Sequence, residues 1–507
     1  MNRIVDLLVT DLRYLVNDLG KDEGLIGPSL YDTAQVIRMA PPEEGIWSAM
    51  DWLRDQQQPD GGWGKLDLPR IRDISTLAAV LALHQHGMRA RDRAAAEAGL
   101  AFLRRQARHW LGPLPNDIPV GAELLLPQLL SEARRAGLAI AAEPYQSLID
   151  LGRKRLDLIS SLAPRAGTTP THSWEAWGRK PDLAVIDASG GVGHSPAASA
   201  AWLQKAADTP HLAEARARML RYLEGASRST GIKIPGVMPA VWPVTLFERS
   251  FALYPLLLAG LLHHPALAQP VAGHIASLRA GLTPCGIGMS EAFRYDGDNT
   301  AVAVLLLAAG GVAADSTPLH GFADAGSGMF ITYPGELQPS LTTTVHAAHA
   351  LAELGCLPSA TVRAVVEQRK PDGRWLGDKW HTSWLYTTSH AVAMLLRAGQ
   401  PDAALAALAA LIESQYADGS WSGSQSSLEE TAHGALALLA FDQYRLLPAA
   451  GHQALQRAAG WMFQHYHATV FDSTALWIGK DQYWPQRVSR AFGLSAMLAC
   501  ALKGYGL

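Results

Sequence analysis

Apolar residues recur at helical spacing along almost the whole chain, in Ala-, Leu- and Arg-rich segments that Gly and Pro interrupt. Segments in which apolar and polar residues alternate one by one, as they do in a half-buried strand, are rare. The pattern therefore predicts an all-α protein. Its 507 residues are enough for two or three domains with large cores.

A short turn recurs between the predicted helices. The segments 57–63 and 415–421 both fit Gln-x-x-x-Gly-x-Trp, and 368–375 fits it with one extra residue. The glycine allows a left-handed helix end, the glutamine amide can bond free backbone groups, and the tryptophan can pack across the junction. Repetition of such a unit predicts stacked helical hairpins. With one copy in the N-terminal half and two in the C-terminal half, we expect two helical barrels, and we assign the turns no chemistry.

The acidic segment Tyr-Asp-Gly-Asp-Asn-Thr at 295–300 comes directly before the apolar run 301–309, which is typical of a buried helix. Asp296 and Asp298 then lie at the N-terminal turn of that helix. Two neighbouring buried carboxylates resist losing both protons, and the helix dipole makes the remaining proton more acidic. Such a group can protonate a weak base, for example a carbon–carbon double bond. An Asp–Gly turn with an Asp N-cap, and no chemistry, explains the same residues.

The composition is that of an ordinary globular protein, with 48% hydrophobic residues, 18% charged residues and a net charge of −3. No clustered basic surface is indicated, so we expect no nucleic-acid partner. Three widely separated cysteines form neither a disulfide framework nor a metal-binding pattern, which favours a reducing, cytoplasmic compartment. The N-terminus predicts an amphipathic helix rather than a signal peptide, and we expect no transmembrane segment because the apolar runs are too short or broken.

Two further segments carry candidate ligand-binding groups. Asp117 and Glu123 lie around a loop before a predicted helix, where carboxylates can hold Mg²⁺; a solvated turn with charges at a helix start is an equal explanation. Lys480, Arg487 and Arg490 occur in an aromatic segment unlike a surface, which predicts that they converge on an anion such as a diphosphate.

Three histidines, His346, His349 and His381, are candidates for metal ligands. We find no helical His-x-x-x-His pair with a partner carboxylate, so we favour hydrogen bonding in the core for these three residues.

Several segments, taken together in chain order, resemble the class II diterpene cyclases, and among them the bacterial copalyl diphosphate synthase type. They follow one another in the family's order between residues 24 and 490, nearly the whole chain. The matching segments are Ser29-Leu-Tyr-Asp-Thr-Ala, the first Gln/Gly/Trp turn, Pro119-Val-Gly-Ala-Glu-Leu, His172-Ser-Trp-Glu, Ser195-Pro-Ala-Ala, Phe247-Glu, Asp296-x-Asp298, Asp378-Lys-Trp-His and Leu476-Trp-Ile-Gly-Lys480.

The resemblance implies two α/α-barrel domains, called β and γ, with γ inserted after the first helix of β and the substrate cavity between them. On this basis residues 1–23 form the first helix of β, 24–274 form γ, and 275–507 form the remainder of β.

The implied substrate is geranylgeranyl diphosphate. An Asp protonates its terminal alkene, two rings close, and a base removes a proton. The diphosphate is retained, and the sequence agrees because it contains no Asp-Asp pair and hence no Asp-Asp-x-x-Asp motif.

Carried over by position, Asp298 looks like the general acid and Asp296 its carboxylate neighbour. Lys480, together with Arg487 and Arg490, looks like part of the diphosphate site. The resemblance implies Mg²⁺ near Asp117 and Glu123, and it leaves open a class I terpene synthase downstream and a homodimer. Aromatic candidates for the cavity wall, where a ring face stabilises a passing cation, are Trp242, Tyr333, Trp375 and Trp384.

The chain departs from the family pattern at three positions. Asn299 stands where the motif has a third Asp; its amide can donate to one Asp298 oxygen and leave the other protonated. Thr344 replaces an Asn that faces the acid, and it would need a water or His346 to reach it.

The third departure concerns the terminal base. His172 matches the His of the His–Asn pair that resembles the base of ent-copalyl producers, but Ala240 stands at the Asn position. We therefore hypothesise that deprotonation occurs elsewhere, or that water adds to the cation, so that the product is not ent-copalyl diphosphate.

Four alternatives remain. The same fold can act on farnesyl diphosphate or a prenylated aromatic; the basic residues near 480 argue for a diphosphate. A squalene-type triterpene cyclase is longer, with denser Gln/Gly/Trp repeats. A protein prenyltransferase subunit needs zinc ligands, for which the scattered Cys and His give no set. A catalytically inactive α-barrel is the last alternative, because fold does not guarantee function.

Overall fold

The computed structural model describes residues 2–65, 69–114, 118–336, 338–422, 426–468 and 473–506. Within these ranges the chain forms twenty-one α-helices and three two-stranded antiparallel ribbons, which confirms the all-α prediction. The helices are α1 (Asn2–Asp18), α2 (Leu30–Met39), α3 (Trp47–Asp55), α4 (Pro69–His86), α5 (Ala90–Gln106), α6 (Ala122–Arg135), α7 (Gln146–Leu162), α8 (Trp174–Trp177), α9 (Pro196–Lys205), α10 (Ala213–Ser229), α11 (Thr245–Leu258), α12 (Ala268–Gly281), α13 (Gly297–Ala309), α14 (Leu341–Glu353), α15 (Ser359–Glu367), α16 (Trp384–Arg397), α17 (Pro401–Leu405), α18 (Leu408–Glu413), α19 (Leu428–Gln443), α20 (Ala449–Gln464) and α21 (Gln486–Leu502). The ribbons pair β1 (Pro28–Ser29) with β2 (Met238–Pro239), β3 (Ile287–Gly288) with β4 (Tyr295–Asp296), and β5 (Trp477–Ile478) with β6 (Gln482–Tyr483).

The C-terminal half contains a closed ring of helices, here called the second ring. In it α11, α13, α14, α16, α19 and α21 each pack against the next, and α21 packs back against α11. These helices are apolar on nearly all sides because neighbours cover them; in α13 every residue from Val302 to Leu307 is fully buried. The Ser340, Ser383 and Ser427 hydroxyls cap the starts of α14, α16 and α19.

A smaller closed ring, the first ring, lies between α1 and the second ring in the sequence. Its inner helices α2, α4, α6, α8 and α9 pack in succession, with α9 against α2, while α3, α5, α7 and α10 pack outside. Helix α1 packs against α12 and α21. Below, the second unit means the second ring with α1 and α12, and the first unit means the first ring with the helices packed outside it. The chain therefore leaves the second barrel after one helix, builds the first barrel, and returns, as the family resemblance implied.

The return occurs earlier in the sequence than the predicted boundary at residue 275. Helices α11 and α12, which the prediction assigned to γ, pack in the second unit. The large apolar core of that unit includes residues from Leu8 to Ile26 and continues from Ala240 onwards. The sequence of an apolar helix does not indicate which of the two rings buries it. For this reason the predicted domain boundary at residue 275 was misplaced.

The recurring turns have the structural role that their sequence predicted. Gln57 Nε2 donates to the carbonyl of Gly61 at 2.8 Å, and the Trp63 indole donates to the Leu53 carbonyl at 2.7 Å. The turn at 415–421 repeats both bonds.

Trp375 belongs to this class of turn residue. It is fully buried, and its indole donates to the Val365 carbonyl at 2.7 Å, as Trp63 does to Leu53. The prediction that Trp375 lines the substrate cavity is therefore wrong, because packing in the turn covers its ring.

No helix in the described ranges is long and apolar enough to cross a bilayer.

Candidate active site

The β3–β4 ribbon presents the acidic segment at the start of α13. Asp296 ends β4 and caps the helix: its Oδ1 accepts from the Asn299 backbone N–H at 2.7 Å and its Oδ2 from the Asn299 amide at 2.9 Å. The simple N-cap explanation thus holds for Asp296. The N-cap explanation does not apply to Asp298. The expectation that the Asn299 amide donates to Asp298 is wrong, because this amide donates to Asp296.

Asp298 is the accessible member of the acid pair, the name used below for Asp296 and Asp298. Its side chain is 14% exposed, whereas Asp296 is 1% exposed. Asp298 Oδ1 lies 2.6 Å from Nδ1 of His346, a buried residue of α14. Its other oxygen, Oδ2, has no hydrogen bond to any described residue, so it is the oxygen that can meet a ligand.

Asp296, the buried member of the acid pair, has a raised pKa. Burial raises the pKa of Asp296 to about 8; the bonds from Asn299 oppose this shift, and the negative charge of Asp298 adds to it. Asp296 therefore favours its protonated form at neutral pH, next to the accessible carboxyl group of Asp298.

Thr344 does not face the acid. Its hydroxyl donates to the Ser340 carbonyl at 2.5 Å and accepts from the Phe330 backbone N–H at 2.9 Å. Both bonds stay within the start of α14 and its preceding loop, so the predicted role of Thr344 as a partner of Asp298 is wrong. His346, which the sequence analysis had named as a possible link between Thr344 and the acid, contacts Asp298 directly.

Aromatic rings pack around His346, the partner of Asp298. Phe251 lies 5.7 Å from the His346 ring and 5.5 Å from the Trp477 ring, measured between centroids. Burial raises the pKa values of four tyrosines, and the negative charge of nearby carboxylates raises them further. These four residues therefore lie near the acid pair. They are Tyr254, Tyr333, Tyr386 and Tyr483. Of these, the sequence analysis had named Tyr333.

The two other predicted wall residues make contacts elsewhere. Trp242 packs against Tyr222 at 5.5 Å in the core of the first unit, and its indole donates to the Asp22 carbonyl at 3.2 Å. Trp384 opens α16 and lies under the Arg374 guanidinium at 4.6 Å. Neither of these contacts includes the acid pair.

The three predicted diphosphate-binding cations do not converge. Lys480 Nζ lies 2.6 Å from Glu175 and 2.5 Å from the Ser195 hydroxyl, while Arg487 pairs with Glu248 at 3.0 Å. Arg490 donates to backbone carbonyls at 467 and 468. The predicted joint anion site is therefore wrong: α21 turns its two arginines to different neighbours, and an internal carboxylate already balances Lys480.

Lys480 instead belongs to a buried polar network between the two units. The next residue, Asp481, accepts from the Ser29 hydroxyl and the Tyr31 backbone N–H, both at 2.9 Å. Burial raises the pKa of Asp481 to about 6 and that of Asp32 to about 7. This network fastens the β5–β6 ribbon of the second unit to the start of α2.

His172 has the geometry of a neutral base. Its Nδ1 lies 2.8 Å from the Gly193 carbonyl, which only accepts hydrogen bonds, so the proton is on Nδ1 and Nε2 carries a lone pair. Burial, and then the Lys480 charge, lower its pKa to about 3. Ala240, at the position where the resemblance expects an Asn, is buried.

The described residues do not build a Mg²⁺ site at Glu123. This residue lies in the first turn of α6, and its carboxylate lies 3.9 Å from Arg155. The other predicted ligand, Asp117, lies outside the described residues. Mg²⁺ therefore stays a prediction.

Among the described residues, the set with ligand-type atoms close together is His381, Glu429 and His433. The sequence analysis named His381 as a candidate metal ligand but missed Glu429 and His433, although these two residues stand four positions apart and so share a face of α19. That spacing was the available signal.

Comparisons with known proteins identify the family of the chain. No family model matches the chain. The chain is 43% identical to the (+)-kolavenyl diphosphate synthase of Herpetosiphon aurantiacus, over 99% of each protein. It is 32% identical to the labda-7,13-dienyl diphosphate synthase of Streptomyces clavuligerus, over 94% of this chain and 90% of that one. Its structure matches that of ent-copalyl diphosphate synthase from Streptomyces platensis with a TM-score of 0.78 and 27% identity, over 97% and 99% of the two chains.

Proposed function

The chain belongs to the class II diterpene cyclases, and from that premise we propose that it cyclises geranylgeranyl diphosphate to a bicyclic, rearranged labdane-type diphosphate. The observation that carries this proposal is Asp298. It is partly accessible, its Oδ1 is held by His346 at 2.6 Å, and its Oδ2 is left for a substrate. An acid of this kind is needed only for chemistry that begins with a proton.

Asp298 starts the reaction. Its Oδ2–H gives the proton to the terminal alkene, the alkene electron pair forms the new C–H bond, and a tertiary carbocation results. The Asp298 carboxylate left behind is stabilised by the N–H of His346 Nδ1 and by the N-terminus of α13. Both effects are stronger for the charged product than for the neutral acid, so they lower the barrier.

The carbocation then passes among the aromatic rings near the pair. Trp477 packs edge to face with both Phe251 and Tyr386, and these two rings pack edge to face with His346. A ring face stabilises a nearby cation by about 0.5–2 kcal/mol, and more where water is excluded. The diphosphate is not cleaved, because the acid acts at the other end of the substrate.

The last step, in which the cation loses a proton, determines which product forms. His172 is a neutral base, but the Ala240 side chain offers no amide to hold a water beside it. Early deprotonation is therefore disfavoured, and the cation has time to rearrange by hydride and methyl shifts before it loses a proton. The relative that is 43% identical is named for (+)-kolavenyl diphosphate, which is a rearranged product, and this supports the proposal.

The test is incubation of the purified protein with geranylgeranyl diphosphate, in Mg²⁺ and separately in EDTA, followed by phosphatase treatment and mass spectrometry. We expect a rearranged bicyclic alcohol from the wild type and none from Asp298→Asn. Clean ent-copalyl alcohol would overturn the proposed rearrangement. Cyclisation of farnesyl diphosphate alone would replace the proposed substrate, and unchanged substrates in every case would favour an inactive barrel.

A further inference from the structure

A hydrogen-bonded series of three buried polar residues crosses the boundary between the two units, and the mechanism above does not use it. His194 Nδ1 lies 3.2 Å from Asp187 Oδ2, and His194 Nε2 lies 2.5 Å from Ser290 Oγ. All three residues are at most 3% exposed. We infer that Ser290, assisted by His194 and Asp187, takes the last proton from the carbocation. The inference rests on the proposed function and names the group that ends the same reaction.

The hydrogen positions in the series follow from the partners of each atom. The Asp187 carboxylate accepts from His194, so the ring carries its hydrogen on Nδ1 and a lone pair on Nε2. The Ser290 hydroxyl therefore donates to Nε2, and its oxygen accepts from the Ala292 backbone N–H at 3.1 Å. A hydroxyl oxygen has two lone pairs. One lone pair of Ser290 Oγ thus has no hydrogen bond to any described residue and can receive a proton.

Ser290 lies on the hairpin that also presents the acid pair. In the β3–β4 ribbon Ile287 pairs with Asp296, and Ser290 follows in the loop that joins the two strands. Ser290 is three residues beyond Ile287, so at most about 10 Å of extended chain separates it from the level of Asp296. One hairpin therefore holds the acid at one end and, through its bond to His194, contacts the first unit at the other.

The ring of Phe293 lies where the carbocation can approach this series. Phe293 belongs to the same loop, and its centroid lies 4.9 Å from the His194 ring and 6.4 Å from the His172 ring. Both Phe293 and His172 are half-buried, so these two rings border accessible space where the units meet. An aromatic face stabilises a nearby cation. Phe293 can therefore hold the cation beside Ser290 while the proton is lost.

The charges around the two histidines favour His194 over His172 as the final proton acceptor. A neutral base that takes a proton becomes a cation. At His172, burial and then the Lys480 charge lower the pKa to about 3, and the Nδ1 partner is the neutral Gly193 carbonyl. At His194 the Nδ1 partner is the Asp187 carboxylate, which stabilises the imidazolium. A Ser–His–Asp series uses the same arrangement to withdraw the proton of its hydroxyl.

The proton transfer balances without a further reactant. The electron pair of a C–H bond next to the cationic carbon forms the new carbon–carbon double bond, and the proton goes to Ser290 Oγ. Ser290 passes its own hydroxyl proton to His194 Nε2, while Nδ1–H stays directed towards Asp187. Water that enters after product release takes one proton from Ser290, which recovers the Nε2 proton. Ser290 meets the cation; His194 and Asp187 are positioning residues that act through it.

Loss of this base should change the product more than the consumption of substrate, because Asp298 starts the reaction before the series acts. In Ser290→Ala we expect consumption of geranylgeranyl diphosphate to fall by no more than about threefold, and the wild-type product to drop by about 10-fold as a share of the products. Double-bond isomers and hydroxylated diphosphates should replace it. Ser290→Thr keeps the hydroxyl and should restore the wild-type product. Asp187→Asn keeps the shape but removes the charge, and it should shift the mixture in the same direction as Ser290→Ala.

The matched control is Ser229→Ala. Ser229 is equally a buried serine, and its hydroxyl donates to the Ala226 carbonyl within α10 at 2.8 Å. Its replacement should leave the mixture unchanged, as measured by mass spectrometry of the dephosphorylated products. A wild-type mixture from both Ser290→Ala and Asp187→Asn would overturn the inference, as would equal mixtures from Ser290→Ala and Ser290→Thr. If Ser290→Ala does not fold, the mixture from Asp187→Asn decides. A wild type without cyclised product would instead refute the proposed function.

Discussion

His346 holds Asp298 by a 2.6 Å contact between Nδ1 and Oδ1, although 48 positions separate the two residues in the sequence. The contact joins the first turn of α13 to the first turns of α14, the neighbouring helix of the second ring. It gives the two oxygens of Asp298 different roles. One oxygen is fixed by the protein, and the other is accessible to a substrate.

Replacement of Asp298 should stop cyclisation. Asp298→Asn keeps the size of the side chain but removes the transferable proton, so we expect turnover to fall by about 10³-fold or more. Product formation from geranylgeranyl diphosphate measures the effect. Asp315→Asn changes an exposed carboxylate beyond the end of α13 and should leave turnover unchanged. Equal loss in both variants would contradict the assignment of Asp298.

Replacement of His346 should lower kcat more than it raises KM. His346→Phe removes the N–H that stabilises the Asp298 carboxylate as it forms, and this bond is stronger in the transition state than in the ground state. We expect kcat to fall by about 10²-fold. Steady-state kinetics of His346→Phe and His349→Phe provide the comparison. If KM alone changed, the histidine would serve binding rather than acid strength.

The raised pKa of Asp296 predicts a dependence of both rate and stability on pH. The pair must hold a proton to start the reaction, so kcat should fall as pH rises through about 8. Between the ordinary carboxyl pKa and this value the folded state binds more protons than the unfolded chain, so stability should decrease as pH rises across that window. Asp296→Asn should flatten the stability profile there, as measured by denaturant unfolding. An unchanged profile would refute the assignment.

The product should depend on His172 and Ala240 without a matching loss of substrate consumption. Protonation by Asp298 precedes the terminal step, so His172→Phe should change the ratio of products more than the rate of consumption. Ala240→Asn supplies an amide that can hold a water beside His172, and it should increase the unrearranged copalyl-type fraction. Mass spectrometry of the dephosphorylated products measures both ratios. Identical product mixtures in all three proteins would exclude a role for this pair of positions.

The Lys480–Glu175 pair should contribute to stability through mutual compensation. Lys480→Met leaves the buried Glu175 carboxylate without its cation and should lower the free energy of unfolding by about 3–5 kcal/mol. The double variant Lys480→Met/Glu175→Gln should recover much of that loss. A variant that stays folded but loses only its affinity for geranylgeranyl diphosphate would show that Lys480 leaves Glu175 to bind the diphosphate.

The local sequence was enough for features that a few neighbouring residues control. Helical periodicity predicted the all-α fold, and the Gln/Gly/Trp pattern predicted turns whose bonds lie within a few residues of one another. The Asp296 cap follows the same rule, because its partner Asn299 is three positions away. The ordered motifs also indicated the family that the relatives establish.

The tertiary structure decided which distant residues meet. The sequence offered Asn299, Thr344 and His346 as groups near Asp298, but Asn299 and Thr344 satisfy their polar groups locally, and the packing of α14 in the ring brings His346 alone into contact with the acid. The same packing separates Lys480 from the arginines of α21 and brings His381, in the loop before α16, to Glu429 and His433 of α19. Sequence periodicity fixes which face of a helix is apolar. When a ring buries a helix on every side, that signal disappears, and only packing sets the direction of each polar side chain.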